Sequence, residues 1–236
     1  VYDRLTQDID RKKIADFIER LFKRHDFNPV TVLDLGCGTG GFCVEMHERG
    51  YDVIGVDISP DMLSCAKTRM LEKGVDILLI NQDMTELKLN GKADAAICLV
   101  DGVNHITDPR KILKFFFHVK KFLNPGGLFI FDINTRYKLE AVMRNNVFYN
   151  IDDDVACIWQ CGIDESGISE SDITLFVKKG DLYERFDETI CERAYDDIEI
   201  RKFINDAGFE LLGVYDGTTF KEVNEKSERV FYACRR

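Results

Sequence analysis

Residues 31–41 read TVLDLGCGTGG, an apolar run followed by four glycines within six positions. Gly36, Gly38 and Gly41 fit the spacing G-x-G-x-x-G, which bends a strand sharply into a helix and lets the backbone approach a ligand closely. Such a turn belongs at the carboxyl end of a strand in an open α/β sheet, beside the point where strand order reverses. Asp34, two residues before the first glycine, is at odds with the pyrophosphate that the turn often holds. A carboxylate at the lip of the strand would repel phosphate charge in a low-dielectric crevice and favour an ammonium or sulfonium. The glycine spacing alone leaves NAD, a flavin dinucleotide and other nucleoside cofactors open.

Strand and helix patterns alternate through the first 135 residues. IDRKKIADFIERLF places Ile9, Ile14, Phe17, Ile18, Leu21 and Phe22 on one helical face. TVLDL, YDVIGVD, VDILLIN, ADAAICLV and LFIFDIN read as five strands. Between them lie GFCVEMHERG, a helix opened by Ser59-Pro60, and a helix opened by Asp108-Pro109 that stops at Asn124-Pro125-Gly126-Gly127. Alternation of this kind implies a parallel sheet with right-handed crossovers. The pattern then changes: VACIWQCGID, ISESDITLFVKKG and DLYERFDETICERAY read as an antiparallel meander of three strands. A helix, DIEIRKFINDAG, and two strands, FELLGVYDG and ERVFYACRR, finish the chain.

A chain of 236 residues suffices for one substantial core with an added subdomain. No apolar run approaches the ~18 residues of a membrane span. The opening VYDRLTQDIDRKK lacks the apolar centre of a signal peptide. Eight cysteines with no C-x-x-C pair, and only four histidines, argue for reduced thiols in a cytoplasmic protein and against a metal site. The net charge of −10 is concentrated: residues 139–196 carry 14 Asp and Glu against 5 Lys and Arg. That balance repels a phosphate backbone and counts against a nucleic-acid substrate.

The motifs together resemble those of the class I, Rossmann-like, S-adenosylmethionine-dependent methyltransferases. VLDLGCGTG matches the family's first motif, and VIGVDIS its second-strand motif ending in an acid. NQDM, ADAAICLVDGVNHI and LNPGGLFIFDIN match the segments that follow. The resemblance covers residues 30–135 well, and the last two strands fit the family's reversed hairpin. It implies a doubly wound, seven-stranded, mostly parallel sheet formed by residues 1–137 and 197–236. The meander, residues 138–196, would be an inserted antiparallel subdomain, either an acceptor-side lid or a dimer surface.

The resemblance also implies site roles. Asp34, Gly36 and Gly38 would surround the methionine end of S-adenosylmethionine, and Asp57 would accept hydrogen bonds from both ribose hydroxyls. Ile58 and Met62 would pack on the adenine, Asp83 would meet its amino group, and Met84 would supply a backbone N–H. Leu99 and Val100 would lie near the transferable methyl, and Tyr2, in YDRL, would close over the cofactor. On the acceptor side the candidates are Asp101, Asn104, His105 and Trp159, with Phe176, Tyr183 and Phe186 beside them. His105 is the one candidate for a base, and a packed histidine is an equal reading. No Asn-Pro-Pro-Tyr tetrad follows the fourth strand, which argues against adenine or glutamine-amide methylation.

The expected activity is therefore methyl transfer to a small-molecule acceptor by a monomer or homodimer, yielding S-adenosylhomocysteine. A methyltransferase acting on RNA or protein, and a non-catalytic cofactor-binding protein of the same fold, remain alternatives.

Overall fold

The computed structural model describes residues 9–236. Asp10 caps α1 (Arg11–Arg24), accepting from Lys13 N–H at 2.9 Å. The helix buries Ile14, Phe17, Ile18, Leu21 and Phe22, each contributing ~1.5–3 kcal/mol on removal from water. The chain continues through β1 (Thr31–Leu35), α2 (Gly41–Glu48), β2 (Asp52–Asp57), α3 (Pro60–Lys73) and β3 (Leu78–Asn81). After a 3₁₀ turn at Met84–Glu86 come β4 (Ala93–Cys98), α4 (Pro109–Phe122) and β5 (Leu123–Asn134). Helices α3 and α4 start as expected, with Ser59 and Asp108 as caps and a proline at the first helical position.

A π-helical turn, Lys138–Met143, leads into β6 (Val147–Ile151), β7 (Val155–Ile163), β8 (Ile168–Lys179) and β9 (Leu182–Arg193). Then α5 (Asp197–Asp206), β10 (Glu210–Asp216) and β11 (Arg229–Arg235) complete the fold. The large sheet has seven strands in the order β10-β11-β5-β4-β1-β2-β3. β1 to β5 run parallel, while β11 is antiparallel to both β5 and β10. Strand order reverses between β1 and β4, so a crevice opens beyond their carboxyl ends.

Each face of this sheet is covered by its own apolar layer. One joins α4 and α5 to Leu33, Leu35, Phe129 and Phe131; the other joins α1, α2 and α3 to Val32, Ala95, Ile97 and Phe231. Stacking of Phe131 on Tyr232, 5.0 Å apart, ties the reversed strand β11 into the first layer. At the opposite end from the crevice, Asp94 accepts from Val30 N–H, Thr31 N–H and the Asn124 amide, which aligns the starts of β1, β4 and β5.

Three boundaries differ from the sequence reading. Among the described residues β3 pairs only with β2, and it is short, beginning at Leu78 because its register starts opposite Ile54. β5 reaches back through the Pro-Gly-Gly turn to pair Leu123 with Ala93. The meander has a fourth strand, β6, and is ordered β6-β7-β8-β9. Stacking of Phe148 on Trp159, with centroids 5.3 Å apart, fixes β6 against β7. Among the described residues no helix is long and apolar enough to cross a membrane.

Candidate active site

The chain leaves β1 through Gly36 and Gly38, whose φ angles of 70° and 53° lie in the left-handed region that glycine enters without cost. Gly36 and Cys37 N–H both donate to Val56 O, at 2.8 and 3.0 Å, so the turn is held against the end of β2. There Asp57 accepts from Gly38 N–H with one oxygen and from Ser59 N–H with the other, each at 2.8 Å. Each oxygen keeps a further lone pair, so the carboxylate is oriented by backbone yet still able to accept from a ligand.

A cavity of about 640 Å³ opens over this turn. Asp57, Ile58 and Met62 form one wall, and Ile58 is 67% exposed despite its apolar side chain. Asp83 and Met84 form the next. Burial pushes the Asp83 carboxyl up, but bonds from Thr85 and the Lys111 ammonium 3.7 Å away outweigh this and hold it below the usual range. Leu99 and Val100 line the cavity where β4 ends.

Beyond β4 the backbone is strained. Val100 and Asp101 both have φ of 57°, a conformation that a β-branched residue rarely adopts. The buried carboxylate of Asp132 on β5 holds them there, accepting Val100 N–H at 2.7 Å and Asp101 N–H at 3.2 Å. Arg229 from β11 bonds Asp132 with one nitrogen and Asp101 with the other, the latter at 2.7 Å. Burial raises the Asp132 carboxyl, against the pull of Arg229.

His105 reaches the cavity from the same loop. Its Nδ1 lies 3.3 Å from Cys191 O on β9, and its Nε2 lies 3.8 Å from Asp101. Glu188, Thr189, Ile190 and Cys191 on the outer edge of β9 complete this wall. Asn104 fastens the edge to the large sheet, since its O accepts from Arg193 N–H at 2.7 Å and its side-chain amide donates to Arg193 O at 3.0 Å.

Several expected positions need correction. Asp34 is 2% exposed and lies beneath the turn, not at its lip, because strand alternation puts it on the face covered by α2. Its carboxylate accepts from the Cys43 thiol at 3.2 Å. Burial raises it to about 7, opposed by the Cys43 bond and reinforced by the charge of Asp57. Asn104 is fully buried, and besides Arg193 its amide bonds Asn134 N–H and O. Its hydrogen-bonding capacity is thus spent on structure.

Asp101 faces Arg229 behind His105 and does not line the cavity. Trp159, Phe176, Tyr183 and Phe186 do not line it either, because the meander presents an edge to the cavity and not its broad face. Tyr2 lies outside the described residues. Two contributors escaped the sequence reading. Ile9 and Arg11, at the start of α1, line the cavity but carry no motif. The β9 wall gives no local signal, since only the three-dimensional path of the meander brings it to the crevice. All eight cysteines are free, with Cys65 and Cys191 exposed.

The cavity sits where a nucleoside cofactor would bind in this fold, and comparison with known proteins decides the family. The family described as a methyltransferase domain matches residues 32–127. YqeM of Bacillus subtilis (strain 168), which bears a provisional methyltransferase name, is 33% identical over 208 residues, spanning 87% of this chain and 83% of that protein. The crystal structure of an S-adenosylmethionine-dependent methyltransferase from Clostridium acetobutylicum ATCC 824 is similar with a TM-score of 0.93 and 35% identity. It covers 99% of this chain and 95% of that one.

The chain belongs to the S-adenosylmethionine-dependent methyltransferases. The methyltransferase also shares its fold with KedS8, a sugar N-methyltransferase from Streptoalloteichus sp ATCC 53650, at a TM-score of 0.85 and 18% identity. That likeness covers all of this chain and 93% of KedS8. S-adenosylmethionine is the cofactor of the methyltransferase, and the residues present suit it. The turn is open above Gly38, where an added Cβ would meet nothing within 4 Å, and Asp57 keeps acceptor capacity toward the cavity.

Proposed function

We propose that this enzyme methylates a small molecule held between the glycine turn and the edge of β9. The observation that carries the reading is the β9 wall. It bounds the cavity beside His105, and the cavity's volume of about 640 Å³ leaves room for a cofactor and a compact acceptor. A meander this acidic favours a neutral or cationic acceptor over a nucleic acid. KedS8, a sugar N-methyltransferase of the same fold, agrees with that class. Residues 1–137 and 197–236 act in this reading as the cofactor-binding unit, and 138–196 as the acceptor-side cover. A cytoplasmic location accords with the free thiols.

The cofactor supplies a sulfonium-activated methyl group, so the protein's task is binding, alignment and exclusion of water. Gly36, Gly38, Asp57, Ile58, Met62, Asp83, Met84 and Leu99 hold the cofactor in this reading. Asp34 lies behind the turn, bonded to the Cys43 thiol, and does not reach the cavity. If His105 Nδ1–H donates to Cys191 O, that bond leaves Nε2 unprotonated. Nε2 then takes a proton from the acceptor, and Asp101 stabilises the resulting imidazolium.

Calorimetry tests the cofactor residues. S-adenosylmethionine and S-adenosylhomocysteine should bind and NAD should not, while Asp57→Ala should lose ~2 kcal/mol or more of affinity. Unchanged affinity would mean that Asp57 has been misassigned. Radiolabelled methyl transfer across metabolite, tRNA and protein fractions tests the acceptor class, and label confined to a macromolecular fraction would overturn the small-molecule reading.

A further inference from the structure

The β9 wall of the cavity is a strand edge, and the direction of its backbone groups follows from the register. Lys179 pairs with Leu182 across a tight turn, and the ladder then runs without a shift to Ile168 and Arg193. In an antiparallel pair, successive residues turn their N–H and C=O alternately toward the neighbouring strand and away from it. Arg193 turns outward, since its N–H and O both bond Asn104, at 2.7 and 3.0 Å. Cys191 turns outward as well, and its O meets His105 Nδ1 at 3.3 Å. The next outward residue along β9 is Thr189.

Thr189 and Cys191 both line the cavity. Among the described residues nothing across the cavity bonds the N–H or O of Thr189. The Thr189 hydroxyl is engaged elsewhere, donating to Asp172 at 2.7 Å, so what this residue offers the cavity is its backbone. Donor and acceptor lie in the plane of the sheet and are held there by the ladder to β8, so little ordering cost attends their use. Asn104 shows what satisfies such a pair at Arg193: one carbonyl oxygen and one amide N–H. Glu188, exposed on the same wall, sets a carboxylate beside Thr189 and opposes an anionic group there.

We propose that the methyl acceptor carries an amide that pairs with the N–H and O of Thr189, continuing along the cavity the edge that Asn104 covers at Arg193. The inference rests on the reading of β9 as the acceptor wall. The chemical class is a compact neutral amide, with a carbonyl to accept from Thr189 N–H and an N–H to donate to Thr189 O. A free carboxylate in its place has no N–H to give and is repelled by Glu188. Thr189 stands ~7 Å along the strand from Cys191, where His105 is held. The atom that receives the methyl beside His105 is therefore several bonds from the amide. Recognition through backbone also leaves the side chains of the wall free to read the rest of the acceptor.

Amide proton–nitrogen NMR spectra of the full chain loaded with S-adenosylhomocysteine test this, with N-acetylglycinamide as the probe. The probe should move the Thr189 and Cys191 signals saturably. N,N-dimethylacetamide, which has no N–H, and trans-1,2-cyclohexanediol, which has no amide, should not. Thr189→Pro deletes the outward N–H at an edge position, where proline is accommodated. Read at Cys191, it should weaken the probe about tenfold relative to Thr189→Val, which loses the same hydroxyl and keeps the N–H. The wild-type spectra decide the matter without either variant. No saturable shift at Thr189, or an equal shift from the diol, overturns the proposal. In the labelled-methyl assay, a small-molecule product without an amide overturns it and leaves the small-molecule reading standing. Label confined to a macromolecular fraction overturns both.

Discussion

Asp34 shares a face of β1 with Val32, and there the alternation of a two-sided sheet sends its carboxylate into an apolar layer. Its ordinary value is 3.8 and burial raises it to about 7 in the folded protein. The neutral form is therefore the one that the fold favours. Its contribution is fully present below about pH 4 and is lost as pH rises through 7. Asp34→Asn keeps the shape of that neutral form. Urea unfolding at pH 5 and pH 8 should show the wild type losing on the order of 3 kcal/mol relative to the Asn variant across that range. Equal losses in the two proteins would place the titration elsewhere. The sequence showed this carboxylate beside the glycines but not its depth, because depth depends on α2 lying across β1. Asp57 was easier to read, since it ends a strand and stands before an N-cap and a proline.

The elements that bound the crevice are held together by few groups. Asp132 links the strained exit of β4 to β5, and Arg229 extends that link to β11. Removing the Asp132 carboxylate would leave Arg229 without that partner and free Val100 to relax from its left-handed conformation. Asp132→Ala should cost ~3 kcal/mol or more, as breaking a buried ion pair does, and denaturant titration measures it. Adding Val100→Gly should recover about 1 kcal/mol of this by relieving the backbone. A loss below 1 kcal/mol would show that the turn does not need the clamp. Helices and central strands were legible because their caps and apolar periods are local. β6 was missed because five residues between polar flanks carry too little pattern. The link from Asp132 to Arg229 was not legible either, as 97 residues separate the partners.

For the whole molecule, ligand and fold are thermodynamically linked. S-adenosylhomocysteine at 100 times its dissociation constant adds about 2.7 kcal/mol to unfolding. For a chain of this size that corresponds to a rise in Tm of about 5–10 °C by calorimetry, and NAD at the same concentration should produce none. The fold class and the glycine turn were legible from the strand–helix alternation and its motifs. The acceptor wall was not, because it arises where two sheets meet and no local residue pattern encodes that seam. The seam also bears on how such a protein changes over generations. The glycine turn and Asp57 belong to one sheet, while residues 188–191 belong to the other, joined to the first through Asn104 and Arg193. Substitutions along that short stretch reshape one wall and leave the turn untouched. Descendants of one ancestor can therefore part ways in what they methylate while inheriting the same methyl donor.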